Sequence, residues 1–174
     1  MVHSVELLFD DGTDAAMRHI WDGLTEAGVR SLASSPSPSN RPHVTLSVAD
    51  HMDAAVDDAL QSVVRRLPFP CTIGAPMLFG TGPFTLVRLL IPSAELLELH
   101  AAVHEVCLPH MSPGPLPHAN PGHWTPHVTM ARRVKADKLA DALSVPRLSR
   151  DRRATAVAIR HWDGNNRVEH AITA

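Results

Sequence analysis

Pro42-His43-Val44-Thr45 and Pro126-His127-Val128-Thr129 spell the same tetrapeptide, PHVT, 84 positions apart in one chain. Each copy opens a strand-like stretch, HVTLSV at 43–48 and HVTMARRV at 127–134. Side chains on a strand alternate between its two faces. His43, Thr45 and Ser47 therefore fall on one face, and Val44, Leu46 and Val48 on the other. In the second copy His127, Thr129 and Ala131 oppose Val128, Met130 and Arg132. Each motif so presents an imidazole and a hydroxyl together, backed by apolar side chains that can enter a core. Proline cannot donate to a sheet ladder, which places Pro42 and Pro126 at a strand start or edge.

The surroundings of the two motifs follow one order. A strand over 3–9 has Val5 and Leu7 on one face, and a helix over 14–27 spaces Ala16, Ile20, Leu24 and Ala27 before a capping Gly28. A Pro/Ser-rich loop at 31–42 leads into the first motif strand, 41–48, then a helix over 52–67 and a strand over 69–80. Gly80, Gly82 and Pro83 break the chain before a strand at 84–91 and a helix at 94–108. A second Pro/Gly-rich loop, 110–124, leads into the second motif strand, 125–134, and a short helix at 136–143. A hairpin of 152–162 and 167–173 turns at Gly164-Asn165-Asn166. Strand, helix, loop, motif strand, helix, strand thus occurs twice. The pattern predicts an internal duplication, about 1–82 and 83–174, within a single bilobal domain spanning 1–174; two repeats are too few for a solenoid.

Composition narrows the function classes. With 44% apolar and 20% charged residues the chain reads as an ordinary soluble globular protein. No run approaches the roughly 20 apolar residues of a membrane span, and the acidic turn after MVHSVELLF is unlike a signal peptide. Cys71 and Cys107 lack metal-type spacing and read as reduced thiols of a cytoplasmic protein, expected to be a monomer. A net charge of −2 argues against a broad non-specific grip on nucleic acid, so a nucleic-acid ligand would be a short piece or an end.

The motif residues suit phosphodiester cleavage. Imidazole titrates near neutrality, so one ring can accept a proton while the other donates one. Thr45 and Thr129 can donate to non-bridging phosphoryl oxygens, and this scheme calls for no metal or cofactor. Arg41, two residues before His43, is a further candidate for binding the phosphate, against a reading as an exposed loop arginine.

The paired H-x-T motifs resemble the 2H phosphoesterase superfamily, which includes 2'-5' RNA ligase-like proteins and RNA 2',3'-cyclic phosphodiesterases. His43, Thr45, His127 and Thr129 all match the signature, and Trp124-Thr-Pro-His-Val-Thr-Met-Ala-Arg resembles the family's second motif strand beyond its core. The resemblance implies an α+β fold of two pseudo-symmetric lobes, each an antiparallel sheet with helices outside, and a cleft between them. It implies metal-independent phosphodiester chemistry, with His127 as base and His43 as acid, and does not fix the substrate; the expectation is opening of a 2',3'-cyclic phosphate on an RNA end or a small nucleotide. Joining of RNA through a 2'-5' linkage, or nucleotide binding without turnover, remain the alternatives. A zinc hydrolase using the surplus histidines ranks last.

The chain departs from the family in one respect. It has no Tyr and 4% aromatics, leaving Phe9, Phe84 and Trp124 as candidate base-stacking groups, each otherwise a core residue. His100 and His104 lie four apart on one helix, but HAAVH lacks the glutamate of a zinc-protease motif, and an exposed helix surface is the expectation. His110, His118 and His123 flank the second motif and either cover the cleft or sit solvated in the loop. Arg132 and Arg133 follow that motif, and alternation turns Arg132 away from His127.

Overall fold

The computed structural model describes residues 2–173. The elements of the first half are β1 (His3–Phe9), α1 (Asp11–Glu26), β2 (His43–Met52), α2 (Val56–Val64) and β3 (Phe69–Phe79). Those of the second are β4 (Phe84–Leu90), α3 (Ala94–Cys107), β5 (Met111–Pro115), β6 (His127–Val134), α4 (Leu139–Leu143), β7 (Arg152–Asp163) and β8 (Val168–Ile172). Helix α1 starts at Asp11 rather than 14 because Asp10 caps it, accepting from the Thr13 backbone N–H at 2.9 Å. Its buried stripe is Thr13, Met17, Ile20, Trp21 and Leu24. Strand β2 runs on to Met52, which delays α2 to Val56. The segment expected as a plain loop at 110–124 contains β5, which pairs with β2 through Ala49↔Pro115, His51↔Ser112 and Met52↔Met111.

All the strand pairings are antiparallel. One lobe is the sheet β5-β2-β1-β7-β8, where residues 156–163 of β7 pair with β1. The other is β6-β4-β3-β7, where residues 152–156 of β7 pair with β3. Strand β7 is thus shared, and on the other side the lobes meet where β2 touches β6 at the single pair Val44↔Val128. The fold is α+β with two lobes, but these do not coincide with the halves 1–82 and 83–174. Helix α1 packs on β6 and α3 on β2, so the first helix of each half covers the motif strand of the other. That exchange leaves one apolar core running through both lobes, from Val5, Met17 and Leu24 to Leu46, Leu86, Leu96, Val128 and Ile159.

Both motif strands carry a bulge at the same point. Val5 pairs with Ser47 but Glu6 with Thr45, so Leu46 is an extra residue in β2; Leu86 pairs with Ala131 but Val87 with Thr129, so Met130 is an extra residue in β6. One extra residue reverses the facing of everything after it. Ser47 and Ala131, expected beside their histidines, are therefore wholly buried. Val48 and Arg132 take up the motif face in their place. A second irregularity follows in β6, where Arg133 adopts a φ of 57°.

Arg88 is the largest fully buried side chain that carries a charge. Its guanidinium makes five hydrogen bonds to the carbonyls of Ile73, Gly74, Arg147 and Arg150, joining β3 to the turn that precedes β7. Among the described residues no helix is long and apolar enough to cross a membrane. Arg88→Met should leave four carbonyls short of a donor and cost about 2–4 kcal/mol of stability in urea unfolding. A loss below about 1 kcal/mol would show that the 147–150 turn is held by other contacts.

Candidate active site

The bridge Val44↔Val128 sets the geometry of the cleft. Both valines are fully buried and point into the core. Their neighbours therefore point the other way, and antiparallel order brings His43 beside Thr129 and Thr45 beside His127. All four line a cleft of about 790 Å³ between the lobes.

The two rings are held in the same manner. His43 Nδ1 lies 2.7 Å from the Arg41 carbonyl, and His127 Nδ1 lies 2.6 Å from the Thr125 carbonyl. A carbonyl only accepts, so Nδ1 carries the proton in both rings and Nε2 is the nitrogen left for chemistry. Trp124 Nε1 donates to the Thr45 carbonyl at 2.9 Å, and Trp21 Nε1 donates to the Thr129 carbonyl at 3.1 Å. Each threonine backbone is thereby anchored by an indole from another element.

Around this symmetric centre the charges differ. The Glu6 carboxylate lies 3.6 Å from His43 Nε2. The residue in the same place beside Thr129 is Val87, since Glu6 pairs with Thr45 as Val87 pairs with Thr129. Burial alone would raise the Glu6 carboxyl, but His43 and Arg160, with a hydrogen bond from Ser4, hold it below the usual range. Arg160 grips Glu6 at 2.6 and 2.7 Å and also pairs with Glu169. Burial lowers His127 below the ordinary imidazole value, outweighing the Thr125 carbonyl, and His43, His118 and Arg132 lower it further.

The walls include groups that reading the sequence placed elsewhere. Arg132 lines the cleft because of the bulge, whereas the Arg41 side chain is not among the lining residues and Arg41 contributes its carbonyl. Phe79 meets the His127 ring edge-on at 4.8 Å between centroids, and with Trp124 and Trp162 supplies aromatic wall. Phe9 is buried in the core. His118 and His123 line the cleft, while His110 pairs with Asp53 at 3.0 Å outside it. His100, expected on an exposed helix surface, is buried and stacked on Trp124 at 3.8 Å, with Nε2 2.9 Å from the Ala119 carbonyl. It is a prop beneath the Trp124–Thr45 contact. Cys71 and Cys107 are free and buried, with thiols pushed up to about 11 and about 12 by burial, and so are unreactive. Glu6, Phe79 and Trp162 carried no motif; the one local signal was an acidic residue, Glu6, followed by the apolar run Leu7-Leu8-Phe9 in a strand.

The sequence profile of the 2'-5' RNA ligase superfamily matches residues 10–166. The chain belongs to that superfamily. Its fold is similar to that of Escherichia coli LigT in apo form, with a TM-score of 0.59 at 12% identity, covering 99% of this chain and 94% of that one. E. coli LigT complexed with 3'-AMP gives 0.59 at 14% identity over 97% and 92%. Kluyveromyces marxianus Usb1 with uridine monophosphate gives 0.58 at 12% identity over 99% and 98%. No curated protein matches the sequence. Both 2H phosphoesterase motif strands of this superfamily member fall within the matched residues, and the solved relatives share its fold from end to end.

A histidine-resolved NMR titration, assigned with His127→Gln, should find His127 titrating below the ordinary imidazole value of about 6.5. His43→Ala should move that midpoint upward, because the neighbouring ring is one of the groups holding it down. A His127 midpoint above about 6.5 would show that burial and its neighbours do not hold this ring down.

Proposed function

We propose that this chain is a metal-independent phosphodiesterase that opens 2',3'-cyclic phosphates on RNA ends or small nucleotides. The observation that carries the reading is the pair of imidazoles in one cleft, each with Nδ1 tied to a carbonyl and Nε2 left for chemistry. His127, kept neutral by its surroundings, takes a proton from water as the water oxygen attacks phosphorus. The bond from phosphorus to O3' breaks, and His43, beside the Glu6 carboxylate, gives its Nε2 proton to that oxygen. The product is a 2'-phosphate and a free 3'-hydroxyl. Thr45 and Thr129 donate to the non-bridging oxygens, where charge builds in the transition state. Arg132 is better placed than Arg41 to add a cation to that phosphate.

The dimensions of the cleft support a small substrate. A volume of about 790 Å³ lies in the range of small-molecule sites and is far below what a duplex needs. Phe79, Trp124 and Trp162 offer faces on which a base can stack, in keeping with the low aromatic content. The mononucleotides in the LigT and Usb1 structures are consistent with a substrate of that class. A panel of cyclic nucleotides, 2'-5' dinucleotides and RNAs with cyclic ends measures which substrate and which direction the chain uses.

Activity should trace a bell against pH, with limbs that belong to the coupled pair. On the acid side the base gains a proton and activity is lost; since His127 is lowered, that limb should fall below about 6.5. A flat profile under conditions where chemistry limits the rate would end the acid–base scheme. Thr45→Val and Thr129→Val should each slow turnover by about 10²–10³-fold with the fold retained on circular dichroism. Full activity in either variant would remove the phosphate-holding role. A substrate with a good leaving oxygen needs little acid, so it should rescue His43→Ala far more than His127→Ala; the opposite pattern would reverse the two roles.

A further inference from the structure

The chain holds 12 histidines, and the cleft accounts for few of them. A second cluster lies behind the sheet of the first lobe. Along β1, Ser4 and Glu6 face the cleft, so His3 faces the opposite side; along β7, Trp162 faces the cleft, so His161 does not. On that rear face α2 supplies Asp57 and β8 supplies His170. We propose that Asp57, His161 and His170 bind one divalent ion of the zinc type, with water completing its coordination.

Geometry carries the proposal. One ligand atom from each of the three residues lies within 4.8 Å of the others. The Asp57 carboxylate sits between the two rings, with Oδ1 2.7 Å from His161 Nδ1 and Oδ2 2.7 Å from His170 Nδ1. The rings approach at 5.3 Å between centroids. Two imidazole nitrogens and a carboxylate are donors zinc accepts at about 2.0–2.1 Å, which sets tetrahedral ligand atoms roughly 3.3 Å apart. Opening those two contacts by about 0.6 Å, and bringing the two ring nitrogens, which lie within 4.8 Å of each other, to the same spacing, would admit the ion. His170 is 39% exposed and Asp57 25%, which leaves a path for the ion and room for a water ligand. Calcium and magnesium demand more oxygen donors than this set contains.

The outer contacts fit the same reading. His161 Nε2 lies 3.0 Å from His3 Nδ1, and His3 Nε2 lies 3.2 Å from Asp163 Oδ1. With an ion on His161 Nδ1, the Nε2 proton of His161 goes to His3 and the Nε2 proton of His3 goes to Asp163. Ligating histidines are commonly supported by such a second partner. Without a cation, the three contacts along Asp57–His161–His3–Asp163 have only two N–H groups from two neutral rings. An extra proton would meet that need as well, but it would not require a second imidazole on the same carboxylate. The convergence of His170 points to the ion. Bound there, it would tie α2 to the β7–β8 hairpin.

The test is independent of the phosphoesterase reading. The full chain carrying His43→Ala and His127→Ala is stripped with chelator and titrated with Zn²⁺ by calorimetry, so that the two motif imidazoles contribute nothing. One Zn²⁺ per chain and a raised Tm are expected, with no effect of Mg²⁺. Adding His170→Ala, at a partly exposed position that leaves the core intact, should weaken zinc binding at least tenfold, and Asp57→Asn should do the same. No zinc uptake, or uptake undiminished by both substitutions, would overturn the site. Stability that responds to pH but not to zinc would overturn it too, assigning the cluster to a stored proton.

Discussion

One backbone contact, Val44 against Val128, governs the rest of this structure. Two strands that would form a continuous ladder instead touch at one residue pair and then part. Beyond that point β5 takes the free edge of β2, and Ser31 bridges to Ala131 on the free edge of β6. The parting opens the cleft. The burial of both valines turns the flanking histidines and threonines into it, where the cross-strand order sets each imidazole beside the hydroxyl of the other motif.

Holding such a junction open demands support from beneath and behind. The exchange of α1 and α3 between motif strands supplies it, since the first helix of each half packs on the motif strand of the other. Trp21 and Trp124 add hydrogen bonds to the threonine carbonyls, and His100 stacks under Trp124. The paired bulges at Leu46 and Met130 then limit the active face to one histidine and one threonine per strand before it reverses. A strand without the bulge would have kept Ser47 and Ala131 on that face and hidden Arg132.

The duplicated frame is nearly symmetric in backbone and unequal in charge. Glu6 in one half corresponds to Val87 in the other, and Val48 corresponds to Arg132. One imidazole therefore faces a carboxylate while the other faces Phe79 and a guanidinium. Two identical motifs thereby sit in different electrostatic surroundings, as a paired acid and base require. The division of labour lies in the neighbours rather than in the tetrapeptide.

Local chemistry in the sequence determined a great deal of this protein. Periodicity and turn residues placed β1, α3 and the β7–β8 hairpin to within a few residues, because those segments follow their own propensities. The repeated PHVT named the two histidines and two threonines that line the cleft. Tertiary structure decided what depends on partners distant in the chain. The strand character of β5 comes from the edge of β2, since a Pro/Gly-rich segment has none of its own. The side of the strand on which Arg132 emerges depends on an extra residue that shows only against β4. Burial of His100 comes from Trp124 and Ala119, and the charge beside His43 comes from β1. The physical reason is common to all four: alternation and propensity are properties of neighbours along the chain, whereas bulges, edges and buried charge pairs exist only between strands that folding has brought together.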